Sequence, residues 1–179
     1  MNLFILSLIP EEIAKAMMDK HISKIILEAV QMLCTAKRVI DPDAQVNEQL
    51  YKLAHKNHPV TIWCRTSRAN FVWTLDLIDE MHKEWKFRYG HPDTKVHKSY
   101  AVAQILRNHI PNESMFIEKF SCRITPFALA MPDVYKSHDG DAVASYRAYY
   151  MSPEKQKIAS WKKLRAPPSW YIFNQTPIL

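Results

Sequence analysis

Glycine is nearly missing from this 179-residue chain, which has only Gly90 and Gly140. A turn-dense all-β fold needs many more residues free to take positive φ, and no Gly-rich loop is present to cradle a nucleotide phosphate. The same shortage removes the Gly-flanked elbow on which a Ser/His/Asp hydrolase mounts its nucleophile. Cysteine is also scarce. Cys34, Cys64 and Cys122 are odd in number and contain no Cys-x-x-Cys pair. Neither a disulfide framework nor a thiolate zinc site is expected, and a reducing interior is. Cys64 or Cys122 as a nucleophile has no local support. No stretch reaches the ~20 apolar residues of a membrane span. Met1 to Ile9 is apolar, but it has no basic n-region and runs straight into Pro10-Glu11-Glu12. The expectation is a soluble, intracellular, cytoplasmic protein with no membrane partner. Acidic residues are outnumbered, 18 against 24 Lys and Arg, for a net charge of +6. That excess favours phosphate-bearing partners without requiring them.

What is present reads as helix. Hydrophobic residues make up 47% and charged residues 23%, enough for one domain with a real core. The eleven prolines fall mostly between periodic segments, where they punctuate helices. We expect a mainly α, single compact helical domain with long irregular connections and a short extended N-terminus. Residues 1–151 form the helical catalytic domain; residues 152–179 form a basic aromatic tail packed on it or extending from it.

Asn2 to Leu6 is too short and too uniformly apolar for a surface helix and should enter the core extended. Pro10 with Glu11 and Glu12 starts a helix that runs to about Met18. A second helix follows from Asp19 to about Val39. Val60 to about Tyr89 is the longest periodic segment, with Trp63, Phe71, Leu75, Ile78 and Trp85 at roughly helical spacing, closed by Gly90-His91-Pro92. Another helix spans Lys95 to about His109. Residues 112–140 are irregular, and Asp141 caps a helix carrying Val143, Tyr146, Tyr149 and Tyr150.

The helix from Asp19 carries the densest chemistry. At 100° per residue, Ile22, Ile25, Ile26, Ala29, Val30 and Leu33 share a broad apolar arc, which Leu27 and Cys34 extend. One narrow polar stripe remains: His21, Lys24, Glu28, Gln31 and Thr35. An imidazole, an ammonium and a carboxylate on a mostly buried helix are expensive unless water or a substrate meets them. The competing reading is a solvated i,i+4 ion pair worth roughly 0.2–0.5 kcal/mol. Lys24 precedes Glu28, however, the less favourable order for helix support. A metal reading fails on spacing: His55-x-x-His58 is interrupted by Pro59, and the other histidines lack a paired carboxylate, so no metal ligand is assigned.

Cations interleaved with aromatics form a second signal. Arg65 and Arg68 lie near Trp63; Lys162, Lys163 and Arg165 lie near Trp161, Trp170 and Tyr171. Ammonium and guanidinium groups neutralise phosphates while rings stack on bases. Tryptophans at helical spacing (Trp63, Trp73, Trp85) read rather as core, whereas the tail, whose apolar periodicity is poor, reads as ligand-facing.

Together these residues resemble the phage pyrimidine-dimer DNA glycosylases of the endonuclease V type, and more closely a group of uncharacterised phage proteins similar to them. A short apolar N-terminus precedes Asp19-Lys20-His21, and Glu28 follows at the family's His-to-Glu spacing. His58-Pro59-Val60-Thr61 leads into a helix through Arg65, Arg68 and Phe71, and the chain closes on Pro168-Ser169-Trp170-Tyr171. The likeness covers the first ~90 residues and the tail; residues 95–165 are largely extra. It implies an enzyme that cleaves the N-glycosidic bond of a damaged or modified base in duplex DNA, with an abasic-site lyase step. In such enzymes an N-terminal amine attacks the sugar C1′ to form a Schiff base, and a helix-borne carboxylate, matching Glu28, moves protons beside a histidine matching His21. An α-amine near pKa ~7.8 suits that role. No cofactor and no metal are implied. The family exposes a threonine by removing the initiator methionine; here Asn2 follows Met1, a residue whose size usually blocks removal. The amine is then that of Met1 or Asn2, or that of Lys24, or Glu28 activates water instead. The site residues expected are therefore Glu28, His21, Lys24, Met1 and Asn2 for catalysis, with His58, Arg65, Arg68, Lys162, Lys163, Arg165, Trp170 and Tyr171 on nucleic acid. Two alternatives stand beside this: an enzyme acting on a free or hypermodified nucleotide, and a non-catalytic nucleic-acid-binding protein.

Overall fold

Seven α-helices and three short 3-10 turns, with no strand among the described residues, make up the computed structural model, which describes residues 1–173. The fold is mainly α. The helices are α1 (Pro10–Ala16), α2 (Asp19–Ile40), α3 (Pro59–Cys64), α4 (Arg68–Tyr89), α5 (Lys98–Asn108), α6 (Ala142–Tyr150) and α7 (Pro153–Gln156). The last six residues of the expected tail lie outside the described residues.

α2 is the central element because its apolar arc is wide enough to meet three neighbours, α3, α4 and α5, at once. Ile22, Ile25, Ile26, Ala29, Val30 and Leu33 are all buried, as the periodicity requires; Leu27, expected at the edge of the arc, is exposed. Leu3, Phe4, Ile5 and Leu6 run buried through the core ahead of α1, turning at Phe4, where φ is 53° and the Leu6 N–H donates to the Phe4 carbonyl at 2.9 Å. Outside any helix or sheet, some of their backbone polar groups are satisfied by side chains: Arg147 Nε donates to the Leu6 carbonyl at 2.9 Å.

The long periodic segment from Val60 is not one helix. It breaks at Arg65–Ser67 because Ser67 caps α4, accepting from the Asn70 N–H at 3.1 Å. Asn70 then holds the bend. Its buried amide donates to the Trp63 carbonyl at 2.8 Å and to Thr125 Oγ1 at 2.7 Å, and accepts from the Thr125 N–H at 2.9 Å. Trp63, Trp73 and Trp85 are core residues, as their spacing suggested. α5 starts three residues later than expected, at Lys98, where His97 Nδ1 accepts from the Ser99 N–H at 3.2 Å. Gly90 ends α4 with φ of 60°, the left-handed conformation a helix stop demands.

A buried charge network joins the helices. The Arg88 side chain, wholly enclosed in α4, donates to the carbonyls of Ala14, Lys15 and Met17 at the end of α1. It also contacts Asp19 at 3.2 Å, at the start of α2, and Glu84 at 2.7 Å. Arg165 grips the same Glu84 with two bonds of 2.8 Å, and Asp19 accepts from Ser160 Oγ and the Lys162 N–H. Residues 160–165 are thereby tied to the helical body, and Trp161 is buried there with its Nε1 donating to the Ala16 carbonyl at 3.0 Å. Burial alone would raise the Glu84 pKa, but the bonds from Arg165 and Arg88 outweigh it and hold the carboxyl below its ordinary value. Among the described residues, removing Arg88 leaves Glu84 with Arg165 alone and Asp19 with no cationic partner, and takes the donor from the carbonyls of Ala14, Lys15 and Met17. Arg88→Met is expected to lower stability by about 3–5 kcal/mol in urea titrations, against about 1 kcal/mol for Arg165→Ala, whose side chain is part-exposed.

Candidate active site

The polar stripe of α2 opens into a small cavity of about 140 Å³, lined among others by Met1, Asn2, His21, Lys24, Glu28 and Lys155. Three parts of the chain meet there. α2 supplies His21, Lys24, Ile25 and Glu28 at i, i+3, i+4 and i+7; the N-terminal segment supplies Met1, Asn2 and Phe4. The far end of the chain supplies Ala130, Tyr149 of α6 and Lys155 of α7. Larger clefts exist, about 450 Å³ beside Lys37 and Asp41 and about 340 Å³ beside Arg68 and Cys122. Both are more open; the first also holds Lys37, Asp41 and His109, but there Lys37 is already bonded to Asp41 at 2.7 Å, and neither cleft includes the chain's α-amine.

Glu28 is the anionic centre. Its Oε2 accepts the Asn2 backbone N–H at 2.9 Å and lies 3.8 Å from the Met1 α-amine; Oε1 lies 3.5 Å from Lys24 Nζ. The carboxylate is mostly enclosed while the Lys24 side chain is largely in solvent. This is therefore no exposed i,i+4 pair, because two backbone nitrogens of the N-terminal segment converge on the same oxygen. Asn2 fixes that convergence. Its amide nitrogen donates to the Ala130 carbonyl at 2.7 Å and its Oδ1 accepts from the Leu3 N–H at 2.9 Å, so the side chain is anchored and the backbone nitrogen faces Glu28.

His21 is set by α6. The Tyr150 hydroxyl accepts from the Met18 N–H at 2.8 Å and lies 2.8 Å from His21 Nδ1. With the Tyr150 oxygen accepting from Met18, its one proton is assigned to His21 Nδ1, which leaves Nε2 as the imidazole's donor. Burial, reinforced by Lys155, Lys24 and Lys20, drives the His21 pKa from 6.5 down to about 3. At neutral pH the ring is an uncharged hydrogen-bond donor that orients, not an imidazolium acid.

Phe4 backs the site. Its φ of 53° is a genuine outlier for a bulky residue and costs roughly 1–3 kcal/mol, the kind of strain that a surrounding structure must enforce. The strained backbone lays the ring on His21, centroids 4.8 Å apart, and 6.1 Å from Tyr149. Lys155 Nζ sits over both aromatic faces, 5.2 Å from Phe4 and 5.1 Å from Tyr149. Phe4, Ala130, Tyr149, Tyr150 and Lys155 carry no individual sequence signal. Only the Tyr146, Tyr149, Tyr150 spacing at i, i+3 and i+4 marked α6 as having an aromatic face. Tyr146, in turn, donates to the Ala128 carbonyl at 2.7 Å and accepts from the Ala130 N–H at 3.3 Å, which steadies the loop that receives Asn2.

The residues expected on nucleic acid are dispersed. His58 stands nearest the cavity, half-buried, capping α3 through Nδ1, which accepts from the Val60 N–H at 3.2 Å. Burial first, then the Met1 amine and His55, lower its pKa, partly opposed by Glu28. Arg65 is buried and donates to the Lys56 carbonyl at 2.8 Å. Arg165 is committed to Glu84 and covers Phe87. Tyr171 is buried against Trp161, its hydroxyl without a partner, and Trp170 lies under the Arg147 guanidinium. These groups stabilise the fold rather than offering free phosphate or base contacts. Arg68, Lys162 and Lys163 are the expected cations that reach solvent, Arg68 4.0 Å from Glu113 and Lys163 over the Tyr89 ring. Burial pushes the Cys64 thiol up to about 12, leaving it a protonated core residue. No helix of the described residues is long and apolar enough to cross a membrane. Compared with known proteins, the chain matches no family model, no curated protein and no solved structure.

A buried neutral histidine links folding to pH. Its folded pKa lies below the unfolded one, so the unfolded chain binds the extra proton, and stability present above about pH 6.5 is lost progressively as pH falls toward 3. Equilibrium unfolding should therefore show stability declining from pH 7 to pH 4.5, with a shallower slope in His21→Gln. An unchanged slope in that variant would mean that His21 does not titrate on unfolding.

Proposed function

We propose that the chain cleaves the N-glycosidic bond of a base in DNA, with Glu28 as the acid/base and an amine of the same cavity as the nucleophile. What carries the reading is the Glu28 carboxylate, part-buried and shared between the Met1 α-amine at 3.8 Å, the Asn2 nitrogen at 2.9 Å and Lys24 at 3.5 Å. The likeness to the pyrimidine-dimer glycosylases shares Glu28 with this site and adds His21, while Met1 and Asn2 are where the chain departs from it.

In this scheme the neutral amine forms a bond to C1′ as the glycosidic bond breaks, and the base departs taking a proton. Ring opening gives a Schiff base, and water hydrolyses it to return the free amine. The departing base takes its proton from solvent. Glu28 takes the proton the amine loses on attack and passes it to the ring oxygen as the ring opens, so that it is ionised again and stabilises the iminium cation; it then takes a proton from the attacking water, and the surplus proton returns to solvent. His21, uncharged, offers Nε2–H as a fixed donor. The α-amine suits attack better than Lys24, because it is enclosed beside the Glu28 carboxylate while the Lys24 side chain is largely in solvent. Loss of Met1 would make the Asn2 nitrogen the amine, already 2.9 Å from Glu28. The target nucleotide has to leave the stack, which costs a few kcal/mol and least at a damaged pair.

A second reading, action on a free or hypermodified nucleotide, is favoured by the internal engagement of Arg65, Arg165 and Tyr171, which leaves few free duplex contacts. Borohydride reduction in the presence of an abasic-site duplex should trap a covalent adduct, with peptide mapping placing it at the N-terminal residue. Glu28→Gln should lower turnover by about 10²–10⁴-fold with the fold intact. Absence of any adduct across pH 6–9, or full activity in Glu28→Gln, would overturn the scheme. Duplex affinity that ignores salt would shift the substrate to the free nucleotide.

A further inference from the structure

The cavity holds more positive charge than Glu28 can neutralise. Its lining carries Lys24 and Lys155, and the Met1 amine whenever it is protonated, against the single Glu28 carboxylate, with His21 uncharged. Glu28 pairs with Lys24 and the Met1 amine. Lys155 has no carboxylate within 4.0 Å among the described residues; its ammonium is held by the Phe4 and Tyr149 ring faces. Cation–π contact of this kind positions an ammonium without neutralising it. Three features of the fold serve that placement: the strained φ of Phe4, the packing of Tyr149 on Phe4, and Pro153 starting α7 directly after α6.

We propose that Lys155 binds the phosphate ester of the nucleotide whose sugar enters the cavity. This rests on the N-glycosidic reading above and extends it, since a sugar with its C1′ at Glu28 carries phosphate only on its other carbons. A phosphate oxygen beside Lys155 would supply the negative charge the cavity lacks. The burial and the nearby Lys24 that now weaken the Lys155 ammonium would then be offset. The chemistry is common to two sources, a backbone diester and the terminal monoester of a free nucleotide.

The test uses the full-length chain and probes that cannot react. Calorimetric affinities would be compared for 1,2-dideoxyribose, its 5-phosphate, and a trinucleotide with that sugar at its centre. The wild type should bind the 5-phosphate or the trinucleotide about tenfold more tightly than the bare sugar, in keeping with one charge-assisted hydrogen bond. Lys155→Met should lose that preference with unchanged thermal unfolding, and Lys155→Arg should keep most of it. A preference for the trinucleotide identifies the diester as the source, and one for the 5-phosphate the monoester. Equal affinities in the wild type, or a preference that survives in Lys155→Met, would sink the assignment. A borohydride adduct mapped to Lys155 would also do so, because it would make the residue the nucleophile. Glu28→Gln should retain the preference. If it does and still turns over substrate, Lys155 keeps its role and the N-glycosidic reading is the one that fails.

Discussion

The structure depends on Arg88. Its guanidinium, with no solvent contact, draws together the carbonyl end of α1, the first residue of α2 and Glu84 of its own helix. A charge removed from water at a cost of several kcal/mol is tolerable only when nearly every donor has a partner, and here carbonyls and carboxylates on three helices provide them. The geometry also sets direction. α1 ends where its orphan carbonyls meet Arg88, and α2 begins at once with Asp19. That junction sets the angular register of α2, and with it which side chains face the N-terminal segment. Packing fixes α2 in the core, while the Arg88 network fixes its starting point.

From that register the cavity follows by addition. α2 presents His21, Lys24 and Glu28; α6 then locks each neighbouring piece with a tyrosine. Tyr146 steadies the Ala130 segment, Tyr149 supports Phe4, and Tyr150 sets the His21 ring. The local cost is concentrated at Phe4, whose left-handed backbone would relax if the rings around it were removed. Strain and an unneutralised lysine occur together beside the same carboxylate. A fold optimised for stability alone would have removed both.

How much of this was readable before folding differs by residue. Helix content followed from the glycine shortage and the apolar period, and the arc of α2 was correct except at Leu27. The stripe of His21, Lys24 and Glu28 was visible because helical spacing is local. The break after Cys64 was not: Ser67 is a local cap that the apolar period overrode, and the bend it makes is held by Asn70 reaching Thr125, a contact no period encodes. The basic aromatic tail shows the opposite failure. Interleaved cations and rings look alike whether they face a ligand or each other, and in this chain Arg165 meets Glu84 and Tyr171 meets Trp161. Lys155 was hidden within that composition, since nothing local distinguishes the lysine over Phe4 from Lys157 or Lys162.

The pinning of the first six residues has a consequence for how the protein comes into being. Asn2 is held by Ala130, 128 positions later, and Leu6 by Arg147, 141 positions later. A segment synthesised long before its partners is thus among the last to find its place. It must stay unattached, with Leu3 to Leu6 bare, until α6 has been made, which is the exposure that long-range closure imposes on any chain. A shortened product lacking α6 could form α1 through α5 and still have no place to seat its own beginning. Synthesis of α6 and α7 and assembly of the cavity are therefore coupled.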